Sequence, residues 1–185
     1  MENPNNLNHK HRNSRTPLIL AEIAVFVALA TALSFIVIYT LPQGGSITAG
    51  SMVPLIWLAL RRGPKIGIAA GAVYGLIQFA ILPFIASSPY AATQVLLDYP
   101  LAFGILGLAG FFKKYPLAGA AVGITGRFIM HFVSGVYFWA AAEAPGLNPY
   151  VYSAVYNGSY LLPELVVTAL IIYALQKSKV LNIFL

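Results

Sequence analysis

Residues 18–40 read LILAEIAVFVALATALSFIVIYT, a run of 23 positions in which Glu22 is the one ionisable acid or base. A helix needs about 20 predominantly apolar residues to cross a bilayer core, so this run predicts a first transmembrane helix. A basic stretch with Lys10, Arg12 and Arg15 precedes it, as in a secretory signal. The apolar run is longer than a signal core of roughly 7–15 residues, and no small-residue cleavage pattern follows it. Residues 1–17 are therefore expected to be a disordered basic cytoplasmic tail.

The same pattern continues outward from this run. Of the 185 residues, 59% are hydrophobic and only 9% are charged, against roughly 25% charged in soluble domains. Such a chain lacks the polar surface that water requires, and its solvent is lipid. Spans are predicted at 18–40, 47–61, 64–84, 92–112, 116–141 and 150–176. The second is short, which suggests a tilted or partly re-entrant helix. Breaks fall at Pro42-Gln-Gly-Gly45, Arg62-Gly-Pro64, Ser87-Ser-Pro89 and Ala144-Pro-Gly-Leu-Asn-Pro149. The expectation is an all-α integral membrane protein, a compact bundle of six transmembrane helices over 18–179 with a C-terminal tail at 180–185.

Charge placement orients that bundle. Ten of the eleven Lys and Arg lie in the N-terminal tail, the 2–3 and 4–5 connections and the C-terminal tail, and only Arg127 lies inside a span. Loops 1–2, 3–4 and 5–6 carry none. Basic residues favour the cytoplasmic side, and a six-helix path puts these four segments on one side, so both termini are expected in the cytoplasm. The net charge of +6 is split among short clusters and does not form a stripe for nucleic acid. With no cysteine, thiolate chemistry and disulfides are excluded.

Small residues recur every fourth position in two spans. Gly67, Gly71 and Gly75 allow close helix packing within the bundle. Ala24, Ala28 and Ala32 form a similar stripe on the first span, which either packs internally or offers a docking face to another protein.

Ionisable groups inside hydrocarbon are costly and mark cavities or partners. Arg127 and Glu164 each lie about 14 residues below the outer ends of their spans, roughly 20 Å down, and are expected to form a structural ion pair. Glu22 sits near the cytoplasmic surface. A second group gathers towards the outside: Gln94 and Asp98 on the fourth span, His131, Gly135 and Trp139 at four-residue steps on the fifth, and Tyr152 and Asn157 at the start of the sixth. Residues four apart share a helix face. A carboxylate among aromatic rings suits a cationic or amino-heteroaromatic ligand, because rings stack on it and the acid supplies countercharge. Trp and Tyr also populate membrane interfaces without any ligand, but Asp98, His131 and Asn157 at one apolar depth call for a common explanation.

Three segments carry a resemblance: Arg127-Phe-Ile-Met-His131-Phe-Val-Ser-Gly135-Val-Tyr-Phe-Trp139, Tyr152-Ser-Ala-Val-Tyr156-Asn157-Gly158, and Gln94-Val-Leu-Leu-Asp98-Tyr-Pro-Leu-Ala-Phe. Over most of residues 18–176 the chain resembles the thiamine-specific substrate-capture (S) components of energy-coupling-factor transporters. The resemblance implies a thiamine pocket near the outer face, built from His131, Gly135, Trp139, Tyr152 and Asn157 and capped by loop 1–2. The family's acid on the fourth helix and its following tyrosine fall on Asp98 and Tyr99, where some members carry Glu for Asp. The aromatic expected in the lid has no counterpart, since loop 41–46 holds no Trp, although Tyr39 is near. The resemblance further implies that Ala24, Ala28 and Ala32 dock on a transmembrane coupling subunit, which joins two ATPase subunits.

This chain has no P-loop of its own, so ATP would be used by those partners; no cofactor and no metal is expected. A solitary secondary transporter, with Asp98 or the Arg127–Glu164 pair carrying protons, is the alternative, although no inverted repeat is evident. An enzyme is disfavoured, because neither a paired-histidine metal motif nor a nucleophile motif is present.

Overall fold

The computed structural model describes residues 4–87 and 89–179, with side chains from residue 16 onward. Its elements are α1 (Pro4–Ser34), β1 (Val37–Thr40), β2 (Ser46–Thr48), α2 (Met52–Arg62), α3 (Pro64–Ile81), α4 (Ala91–Phe111), α5 (Pro116–Glu143) and α6 (Pro149–Lys177). The chain is thus an all-α membrane protein of six helices, and five of them are long and apolar enough to cross a bilayer. Residues 4–17 of the expected disordered tail are helical and continue into the first span, with Pro17 inside the helix; residues 1–3 and the expected C-terminal tail at 180–185 lie outside the described residues.

The first predicted span, 18–40, is not helical to its end. The helix stops at Ser34, and Val37–Thr40 pairs antiparallel with Ser46–Thr48 as a hairpin. Hydropathy cannot separate an apolar helix from an apolar strand. The signal was present in Ile36-Val-Ile-Tyr-Thr40, a β-favouring run, followed by a turn sequence ending in two glycines. Gly44 takes φ +84° at the tip, and the Leu41 N–H donates to the Gly45 carbonyl at 2.7 Å to close it.

The predicted second span loses its first residues to β2. What remains, α2, has 11 residues, about 16 Å of rise, or half a bilayer core. It is the central helix: Met52, Leu55, Ile56, Leu58, Ala59 and Leu60 are all at most 1% exposed.

The glycine stripe on α3 packs inside the bundle. A Cβ on Gly67 would stand 2.4 Å from that of Ala59, and one on Gly71 would stand 2.2 Å from the Phe103 carbonyl oxygen. The stripe thus lets α3 pack closely on both α2 and α4, meeting α4 backbone to backbone.

At the end of the bundle away from the hairpin, Glu22 of α1 pairs with Arg61 at 3.1 Å and with Arg62 of α2 through two nitrogens. Lys113 donates to the Arg61 carbonyl at 3.3 Å. The cationic loops predicted from charge placement thus gather at one end, and Glu22 ties α1 to them.

A ligand cavity beneath the hairpin

Two helices depart from α geometry where they reach the hairpin end. Leu97–Leu101 of α4 and Gly135–Trp139 of α5 are π turns. Such insertions frequently sit at functional sites, because an extra residue per turn re-aims the side chains around it. Here the two turns carry Asp98 and Tyr99 on one helix, Gly135 and Trp139 on the other. His131, Gly135 and Trp139, at four-residue steps, still face one side, and His131 and Trp139 both reach Asp98.

Asp98 is the hub. Its Oδ2 accepts from Gln94 Nε2 (2.6 Å), Ser134 Oγ (2.7 Å) and Trp139 Nε1 (3.1 Å), and its Oδ1 lies 2.9 Å from His131 Nδ1. A carboxylate in apolar surroundings survives when several donors answer it, and α4 and α5 together supply four.

Tyr99 faces the loop after α3. It accepts the Phe84 N–H at 2.7 Å and faces the Leu82 carbonyl at 3.2 Å. Gln94 ties the same loop, 3.3 Å from both the Phe84 carbonyl and the Ala86 nitrogen. The Phe84 ring in turn fills the space beside Gly44 at the hairpin tip.

Asn157 also ties α6 to α5. Its amide nitrogen donates to the His131 and Ser153 carbonyls at 3.2 and 3.0 Å, and its oxygen accepts from Tyr160 at 3.0 Å. Gly135 serves the same contact: a Cβ there would stand 2.2 Å from Ser153 Oγ. Its lack of a side chain lets α6 approach α5, a more direct reason than room for a flat ligand.

The expected Arg127–Glu164 ion pair does not form. Glu164, with no exposed surface, accepts the Thr48 N–H at 2.7 Å and the Thr48 hydroxyl at 2.6 Å. Matching depth on neighbouring helices did not ensure contact, because Thr48 of β2 reaches Glu164 and supplies a donor to each oxygen of its carboxylate. Arg127 instead donates to His131 Nε2 at 3.2 Å and lies 4.2 Å over the Phe103 ring.

These groups enclose a cavity of about 280 Å³ roofed by the hairpin, and Asp98, Tyr99, His131, Gly135, Trp139, Tyr152 and Asn157 all line it. Sequence reading passed over Tyr156, which stacks on Tyr152 with ring centroids 5.9 Å apart and accepts the Gly45 N–H at 3.1 Å. Its place one helical turn after Tyr152, quoted in the same motif, was the available signal. The Tyr152 hydroxyl is buried and has no hydrogen-bond partner among the described residues. Unsatisfied buried hydroxyls are rare, and this one belongs to a cavity-lining ring.

The cavity's charge is also informative. Its lining holds two carboxylates, Asp98 and Glu164, and one guanidinium, Arg127. With His131 neutral, that sums to −1, the complement of a monovalent cation.

The family model for the thiamine transporter protein (Thia_YuaJ) matches residues 20–183 of this chain. The chain belongs to that thiamine transporter family. The thiamine transporter ThiT of Bacillus subtilis is 30% identical over 171 residues, covering 83% of this chain and 87% of the relative. That of Lacticaseibacillus paracasei is also 30% identical, over 84% and 85% of the two chains. The solved structure of ThiT from Listeria monocytogenes superposes with a TM-score of 0.77 at 29% identity, covering 89% of this chain and 96% of that one. This family transports a vitamin and is not a family of enzymes.

The alanines stand apart from this cavity. Ala24, Ala28 and Ala32 are exposed and, with Val27, Val73 and Ile77, line a shallow groove between α1 and α3.

Proposed function

We propose that the chain captures thiamine on the outer side of the cell membrane and delivers it inward as the substrate-binding component of an energy-coupling-factor transporter. The observation that carries this reading is the cavity itself: seven residues from three helices, with a net charge of −1, under a hairpin lid. Thiamine is a thiazolium cation joined to an aminopyrimidine. Its cation suits the acidic, aromatic lining, and its amino group suits an anchored carboxylate. Ligand pockets commonly measure roughly 300–1,000 Å³, so a cavity of about 280 Å³ fits a small vitamin and little more.

The outward placement is supported by the gathering of Arg61, Arg62 and Lys113 at the end opposite the hairpin, which favours the cytoplasm there. Ala24, Ala28 and Ala32 leave a smooth exposed stripe on α1 for the transmembrane coupling subunit, with two ATPase subunits supplying the energy. The alternative of a proton-coupled transporter acting alone loses its charge pair, since Glu164 is bound to Thr48 and not to Arg127.

Titrating the detergent-purified protein with thiamine while following tryptophan fluorescence tests the proposal. Trp139 lines the cavity, whereas Trp57 packs edge-on against Phe26 with centroids 5.8 Å apart. Saturable quenching that disappears in Asp98→Ala is the expected result. Absence of quenching and of thermal stabilisation by thiamine, while another vitamin produces both, would overturn the ligand.

A further inference from the structure

Arg127 lies midway along α5 and lines the cavity, yet among the described residues no carboxylate pairs with it. A permanently charged side chain at this depth needs an answering charge. One carboxylate, Asp98, is reached through a histidine. Arg127 Nε lies 3.2 Å from His131 Nε2, and His131 Nδ1 lies 2.9 Å from Asp98 Oδ1.

A guanidinium donates and cannot accept, so the imidazole nitrogen it touches must present a lone pair. The proton of the ring then resides on Nδ1, where it points at Asp98. Only the neutral Nδ1–H form satisfies both ends, and the hydrogen bond at one nitrogen sets the state of the other. The remaining neighbours do not disturb this assignment. The Tyr160 ring of α6 meets the imidazole edge-on at 6.2 Å, and both oxygens of Glu164 are held by Thr48.

We infer that Arg127 is a positioning residue for ligand binding, fixing His131 as its Nδ1–H tautomer and so holding Asp98 as an oriented anion. The inference rests on the cavity being the thiamine site. It changes the roles within that site. Both His131 nitrogens are occupied by protein, so the ring offers the vitamin its face and no hydrogen bond. Three donors crowd Asp98 Oδ2, and His131 alone takes Oδ1; an oxygen of a carboxylate has about two acceptor sites, so Oδ1 keeps one for the ligand's amino group. The same relay explains why Arg127 lies half-buried without an acid beside it.

The test is nitrogen NMR of the full chain labelled with ¹⁵N-histidine, with the His131 signals assigned by their loss in His131→Gln. The wild type is expected to show a protonated Nδ1 and an unprotonated Nε2 between about pH 6 and 8, the range where free histidine titrates. Arg127→Met should lose that pattern and bind thiamine about tenfold more weakly, the size of one charge-assisted hydrogen bond. Arg127→Lys, which keeps a charged donor, should restore much of both. A wild-type ring protonated at Nε2 would overturn the inference even if Arg127→Met failed to fold. So would an unchanged tautomer in a folded Arg127→Met. If the wild type has the expected tautomer but does not bind thiamine, the relay stands and the ligand assignment fails.

Discussion

The two halves of α4 face opposite demands, and they meet them differently. Away from the hairpin, the stretch Ile105–Phe111 tightens into a 3₁₀ turn and places Gly107 and Gly110 against α3. A Cβ on Gly107 would stand 2.1 Å from the Ile68 nitrogen, so no side chain separates the two backbones. Near the hairpin the same helix widens into a π turn carrying Asp98 and Tyr99. One half excludes all space and the other encloses some. Overwinding and underwinding within about 15 residues let a single helix serve as both packing seam and cavity wall.

This contrast predicts where substitutions hurt folding and where they hurt binding. The largest effect belongs to the seam. Gly71→Val would drive a side chain into the Phe103 carbonyl, 2.2 Å from the ideal Cβ. Backbone cannot give way as a flexible side chain can, so the cost should reach the upper end of overpacking, about 3 kcal/mol. Thermal unfolding in detergent should show a drop of roughly 10 °C, and an unchanged midpoint would mean that the seam is looser than its geometry.

Trp139→Ala comes next and should do the reverse. Losing a stacked ring should weaken thiamine binding by about 1–3 kcal/mol, by analogy with aromatic–base stacking, without a comparable fall in the unfolding midpoint. If stability fell and affinity did not, Trp139 would belong to the packing half.

Glu164→Gln sharpens the boundary between the halves, because this residue is fully buried and also lines the cavity. The change removes one negative charge from the lining and weakens the grip on Thr48. Affinity should fall by about 1.5 kcal/mol, the scale of a charged hydrogen bond, and limited proteolysis should cut the hairpin faster. Faster cleavage with unaltered affinity would make Glu164 an anchor of the lid and nothing more.

The smallest effect on the isolated protein is expected at Ala28→Leu. Its side chain would fill the exposed groove beside α3 without touching the cavity, so thiamine affinity should stay within about 0.5 kcal/mol. Uptake by cells carrying the coupling module should nonetheless fall. Loss of binding and uptake together would return the alanine stripe to internal packing.

Most of the candidate site was legible because its chemistry is rare in its setting. Asp98, His131 and Asn157 stand out in a chain that is 59% hydrophobic, and the cost of burying polar groups makes each one informative. The hairpin was not legible in the same way, since lipid rewards apolar residues whether they form a helix or a strand. The Arg127–Glu164 pairing failed for a different reason. Depth along a helix follows from counting residues, but the partner of a charge depends on what else enters the space, and Thr48 arrives from a strand.

By itself the sequence determined the solvent, the number of helices, the end of the bundle where the cations gather and seven of the residues that line the cavity. These follow from local composition and from the price of polarity in hydrocarbon. Only the tertiary structure decided that Asn157 and Gly135 serve the α5–α6 contact, that Glu164 holds the hairpin, and that Arg127 reaches Asp98 through His131. Each of those assignments is a choice among several donors and acceptors within reach. Distance and direction make that choice, and neither is written in the order of residues along one helix.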